Sequence, residues 1–205
     1  FQIFKFPNHQ INQTMDRNKQ YMLFAAAGLL PPALLWLFDR KNEIPRLAPK
    51  MPSATTPISH KLTAFLLMIQ YAEGTYGVNA YRTLYGGGIF NDMSKHPNKV
   101  IRKGGWSSSA AGAYQFLYST WIELQRQLQL PDFSAASQDL AAIELIRRKG
   151  ALADIEAGRI EDALYKCRKV WASLPHAGYG QKEHSSQKLL LAYQYFITNK
   201  SLLSA

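Results

Sequence analysis

"KLTAFLLMIQYAEGTYG" occupies positions 61–77. The part before Glu73 is apolar enough to predict a buried helix, with Ser59 as its N-cap and its end at Glu73. A charged residue therefore stands at the end of a buried run, with Gly74 directly after it. A helix C-terminus carries partial negative charge and disfavours an ionised carboxylate. Apolar neighbours disfavour it further, so both effects raise the pKa toward the range a general acid needs near neutral pH. Position alone also suits an ordinary solvated glutamate in a last helical turn. The surrounding sequence separates the two readings.

Downstream, the chain turns rich in glycine and tyrosine. The alternation Tyr81, Thr83, Tyr85 before Gly86-Gly87-Gly88 predicts a small hairpin. "SSAAGAYQFLYSTWIELQRQLQL" has helical spacing and stops at Pro131. "SAASQDLAAIELIRRKG" predicts another helix, capped by Ser134 and stopped by Gly150. "IEDALYKCRKVWASL" and "SSQKLLLAYQYFITNK" complete the helical set. The fold class is α+β: mostly helical, with one small β-hairpin.

Upstream, "YMLFAAAGLLPPALLWLF" (21–38) is uncharged and apolar, just short of the about 20 residues of a membrane span. Pro31-Pro32 would kink or break a helix there. Arg17 and Lys19 precede it and no small-residue cleavage site follows, which favours an uncleaved signal-anchor. "RLAPKMPSATTPIS" reads as an extended tether. The expected organisation is a basic segment (1–20), a membrane or signal-anchor segment (21–38), a flexible linker (39–58) and a catalytic domain (59–205).

The 205-residue chain is 47% hydrophobic, enough for one compact domain and an appendage. Its formal charge of +10 suits a polyanionic partner: nucleic acid, anionic lipid or cell-wall polymer. Cys167 is the only cysteine, which excludes an internal disulfide and a cysteine-based zinc site. His60, His96, His176 and His184 lack metal-ligand spacing. "GWSSSAAG" is not a nucleophile elbow, and the glycine run lacks the Lys-Ser/Thr of a phosphate loop. No metal or cofactor is expected.

"AEGT" (72–75), "YGGGIFNDMSKHP" (85–97), "SSAAGAYQFLYSTW" (108–121), "ASQDLAA" (136–142) and "KVWASLPHAGYGQ" (169–181) occur in this order. Together they resemble the lambda-type phage endolysins of glycoside hydrolase family 104, lysozyme-like lytic transglycosylases that cut peptidoglycan. The resemblance spans roughly 61–195. It implies a lysozyme-like fold with a cleft between a helical lobe and the hairpin. It implies Glu73 as acid/base, Tyr114 and Gln115 lining the cleft, and Tyr179 and Gln181 on another wall. The family often has Arg where Ala113 stands and an acidic residue where Gly88 stands.

A single carboxylate suffices for that chemistry. Retaining and inverting hydrolases use a second carboxylate as nucleophile or base. A lytic transglycosylase instead lets the MurNAc 6-hydroxyl close onto C1. Asp92, in "FNDMS", is the candidate second carboxylate or sugar contact; its competing reading is an Asx turn. Asp139 is explained by helix-dipole stabilisation near a helix start.

The expectation is thus a peptidoglycan lytic transglycosylase, monomeric, membrane-anchored by its N-terminal segment, with its catalytic domain facing the periplasm or wall. The alternatives are a muramidase that uses water, a phage endolysin released from the host cytoplasm, or a non-catalytic cell-wall or nucleic-acid binding protein. No nucleic-acid motif supports the last.

Overall fold

The structure, a computed structural model, describes residues 58–199. The basic segment, the apolar run 21–38 and nearly all of the linker lie outside the described residues. Among the described residues no helix is long and apolar enough to cross a membrane.

Helix α1 (His60–Ala72) is the axis of the domain. Ser59 caps it, its Oγ accepting from the Leu62 N–H at 3.1 Å. Leu62, Ala64, Phe65, Leu66, Met68, Ile69, Gln70 and Ala72 are all buried, so the helix is covered on most of its circumference. Its cover is α6 (Ser186–Thr198) on one side and α4 (Leu152–Ala157) on another. Helix α5 (Ile160–Cys167) buries Ile160, Ala163, Leu164 and Cys167, the spacing of one helical face, and packs on α4 and α6. Burial pushes the Cys167 thiol up to about 12, so it is an inert core group.

A second helical pair, α2 (Tyr118–Leu128) and α3 (Ala135–Arg148), packs together. Ser134 caps α3, its Oγ accepting from Ser137 N–H. Beneath this region lies an aromatic cluster: Trp121 meets Phe133 edge-on at 4.4 Å, and Phe116 and His96 close it. Helix α2 starts only at Tyr118. The stretch 109–117, expected to be helical, is instead a looped segment tied by an Ala111–Phe116 bridge.

The β-hairpin also differs from expectation in place. Strands β1 (Ile101–Lys103) and β2 (Trp106–Ser108) pair antiparallel, with Lys103 opposite Trp106. Gly104 and Gly105 close the turn with φ of +58° and +80°, the double positive φ of the hairpin turn that matches strand twist. The tyrosine-rich alternation upstream forms two 3₁₀ turns, Ala80–Arg82 and Tyr85–Gly87. The Gly86–Gly88 run does reverse the chain, with Leu84 N–H donating to Gly88 O at 2.7 Å, but Thr83 and Ile89 make only an isolated bridge. The architecture is mostly helical α+β with a single two-stranded sheet among the described residues.

Candidate active site

Glu73 is the C-cap of α1, with φ −76° and ψ −5°. Gly74 follows at φ +70°. Its N–H reaches Tyr71 O at 3.1 Å, and Thr75 N–H reaches Gln70 O at 2.9 Å. This is the Schellman closure, and the residue after the cap must enter the left-handed region, where glycine is least strained. The glycine thus ends the helix at once and leaves the glutamate at its rim. The buried Thr75 hydroxyl lies 2.6 Å from Ala113 O, which joins the helix end to the looped segment 111–116.

The Glu73 side chain faces a cleft of about 710 Å³. Ser173 Oγ donates to its Oε1 at 2.5 Å. Burial pushes the carboxyl up to about 7, against the opposing pull of the Ser173 hydroxyl and backbone. His184 braces the backbone at both ends of this pair: its N–H donates to Ser173 O at 2.8 Å, and its Nε2 lies 3.2 Å from the carbonyl of Ala72, the residue before Glu73. Because a carbonyl only accepts, that nitrogen carries the proton.

Gln115, Tyr179 and Gln181 line the same cleft as Glu73. Gln115 sits at φ +48°, and its amide nitrogen donates to Thr83 O (3.1 Å) and Gly112 O (2.9 Å). Tyr179 donates from its hydroxyl to Lys169 O at 3.0 Å and leaves its ring half-exposed. Tyr114 does not line the cleft. It is buried, and its hydroxyl donates to Asp139 Oδ1 at 2.6 Å. The Tyr81 hydroxyl donates to the same oxygen at 2.9 Å, and Gln70 Nε2 contacts both phenols. Tyr114 still bears on the cleft from behind, since its carbonyl accepts from Nε1 of the cleft-lining Trp171 at 3.1 Å.

Asp92 is likewise outside the cleft. It is exposed, and its Oδ1 accepts from Ser94 N–H (2.9 Å) and Ser94 Oγ (2.6 Å), an Asx turn. Those bonds hold its carboxyl below the usual carboxylate range. Asp139 is no solvated helix-start residue. It anchors the two tyrosines, and burial raises its carboxyl against the pull of those bonds. Neither aspartate is within the lining of the cleft, so Glu73 is its only carboxylate among the described residues.

Sequence reasoning missed Ser173, Trp106, Lys169 and Lys182, all on the cleft lining. Ser173 lies 100 residues from the glutamate it bonds, and no local pattern links them. Among the described residues no cluster of His, Cys, Asp or Glu could hold a metal ion.

This geometry, one carboxyl of raised pKa in an open polar cleft under a helix end, is suited to protonating a glycosidic oxygen. The comparisons with known proteins agree. Residues 63–198 match the Endolysin family model. The endolysin of Escherichia phage P2 is 47% identical over 149 residues, covering 65% of this chain and 90% of that protein. The endolysin of Escherichia phage lambda is 39% identical over 144 residues, covering 67% and 91%. Bacteriophage lambda lysozyme complexed with a chitohexasaccharide superposes with a TM-score of 0.66 at 38% identity, covering 69% of this chain and 96% of that one. A second structure of lysozyme from bacteriophage lambda gives 0.63 at 37% identity. The chain belongs to the endolysin family, as a lysozyme-type enzyme that cleaves peptidoglycan.

Proposed function

We propose that the enzyme is a lytic transglycosylase that cuts the β-1,4 bond between MurNAc and GlcNAc and releases a 1,6-anhydro-MurNAc end. One observation carries this reading: among the described residues Glu73 is the only carboxylate on the cleft lining. A hydrolase would use a second carboxylate about 5–9.5 Å away. The glycan bound by the lambda lysozyme supports a sugar chain as the occupant.

In the proposed mechanism Glu73 begins protonated, and Ser173 fixes the orientation of its carboxyl. It gives its proton to the glycosidic oxygen as the bond to C1 breaks. The resulting carboxylate takes the proton of the MurNAc 6-hydroxyl, whose oxygen closes onto C1. The nucleophile is part of the substrate, so the step gains from proximity and needs no positioned water. Gln115, Tyr179 and Gln181 border the cleft and are the proposed sugar contacts. The half-exposed Tyr179 ring offers a stacking face.

For substrate access, the apolar run 21–38 is proposed to anchor the chain with its catalytic domain toward the wall. Release from the host cytoplasm is the alternative.

Mass analysis of the digest tests the chemistry. The expected reducing-end products are one water lighter than those of a muramidase. Products with free reducing MurNAc would overturn the transglycosylase reading and leave the muramidase.

A further inference from the structure

The cleft lining carries two ammonium groups, Lys169 and Lys182, besides the single carboxyl of Glu73. Both lysines are exposed, and neither makes a salt bridge among the described residues. They differ in freedom. Lys169 Nζ donates to Ala177 O and stands 5.4 Å from the centre of the Tyr179 ring, so its charge is held in place. Glu183 is committed elsewhere: its two oxygens accept from Gly178 N–H at 2.6 Å and His176 N–H at 2.8 Å, bonds that hold its carboxyl below the usual carboxylate range. Lys182 is exposed on the rim of the cleft and makes no hydrogen bond to any described residue, so no contact among them fixes its ammonium group.

While Glu73 holds its proton, the lining is therefore net positive. Neutral N-acetylglucosamine chains give those charges no partner. Peptidoglycan does: each muramyl residue carries a lactyl ether, and that ether carries either a free carboxylate or a stem peptide with its own carboxylates. The geometry points to Lys169 and Lys182 as a carboxylate-reading edge of the cleft, which makes the enzyme favour acidic muramyl strands over neutral chitin-like ones. Lys169 supplies an oriented charge and Lys182 an unfixed one that suits a variable substituent. This inference rests on the cleft being the peptidoglycan site.

The test uses the full chain with Lys182→Gln and Lys182→Glu; Lys169 also holds the Ala177 turn and is a poorer probe. Binding is measured at low salt against three ligands: peptide-bearing glycan fragments, the same strands stripped to the free lactyl carboxylate by an amidase, and chitohexaose. Cleavage of the first two is measured separately. The expected result is about threefold weaker binding of acidic strands for Lys182→Gln, within the range of an exposed ion pair, and about tenfold for Lys182→Glu, which adds a like-charge repulsion to that loss. The loss should appear in KM and shrink at high salt, where screening is short-ranged. Chitohexaose affinity should stay at the wild-type value. Loss on both acidic ligands means that the lysine reads whichever carboxylate the muramyl substituent presents; loss only on amidase-stripped strands names the lactyl carboxylate, and loss only on peptide-bearing strands names the stem peptide. Equal weakening for chitohexaose, or no weakening on either acidic ligand, would overturn the assignment. Failure of the wild type to cleave any strand would instead overturn the proposed function, while the binding contrast would still decide the role of the lysines.

Discussion

Removing the hydroxyl that touches the acid should move the alkaline limb of the pH–rate profile upward. Ser173 Oγ donates to Glu73 Oε1 at 2.5 Å, a bond that favours the carboxylate and opposes the effect of burial. A hydrogen bond to a charged acceptor contributes about 1.5–3 kcal/mol. The cleft is open, so water recovers part of this in Ser173→Ala, leaving about 1.4 kcal/mol or one pK unit. The Glu73 carboxyl would then move from about 7 to roughly one unit higher. At pH 8 about a tenth of the wild-type enzyme holds the catalytic proton, against about half of the variant, a roughly fivefold gain relative to each enzyme's own plateau. The assay is initial-rate clearing of purified sacculi from pH 5 to 9, each curve normalised to its maximum. The plateau itself should fall, because an unfixed carboxyl is less well aimed. An alkaline limb that stays put, or moves to lower pH, would refute the argument that this hydroxyl tunes the acid.

Glu73→Gln should fold and lose at least about a hundredfold in rate, since an amide cannot cycle a proton; near-normal turnover would remove Glu73 from the mechanism. The same variant should be more stable than wild type at pH 8 but not at pH 4. The folded-state pKa of about 7 lies above the unfolded value, so the contribution of the acid form is complete below about pH 4 and lost as pH rises through 7. Allowing for the open side of the cleft, the difference at pH 8 is about 1–2 kcal/mol, readable by thermal melts; equal melts at pH 8 would mean that burial does not strain the carboxylate. Asp92→Asn should keep more than about half of the activity, because Asp92 serves an exposed turn; a well-folded but inactive variant, together with reducing-end products from the wild type, would favour the muramidase. A chain beginning at Ser59 should clear isolated sacculi like the full chain, since every residue lining the cleft lies after it; a purified, folded but inactive product would show that 1–58 contributes to the chemistry.

What the sequence made legible follows the range of the forces involved. The end of α1 was readable because Ser59, Glu73 and Gly74 are local signals, each satisfied within a few residues. The start of α3 at Ser134 was readable for the same reason. The hairpin was misplaced because alternating large residues at 81–85 resemble a strand, while the stronger cue was Gly104-Gly105 between Lys103 and Trp106. Tyr114 and Gln115 are neighbours in one motif, yet the tight loop sends the first into the core and the second to the cleft. Asp139 looked like a helix-start charge until the structure brought Tyr81 and Tyr114 onto it across 58 and 25 residues. Such long-range polar pairings leave no periodicity to read.

The residue beside Asp139, Gln138, makes long-range bonds of its own that limit how the sequence can drift. Gln138 accepts from Ala113 N–H at 2.9 Å and donates to Tyr81 O at 2.9 Å and Phe133 O at 2.8 Å, stitching three loops behind the cleft. Gly112 passes so close that an added Cβ would fall 2.2 Å from the Gln138 amide oxygen, at a φ of +81° that side chains resist. A larger residue at 112 would need a smaller one at 138, and a smaller one at 138 would leave the buried Ala113 N–H without its acceptor. Neither residue can change alone without cost, and changing both leaves the left-handed φ at 112 and the unpaired Ala113 N–H in place, so the pair is locked together. Natural variation and directed evolution should both travel around it, through exposed positions away from the cleft, where one residue can change without asking leave of another.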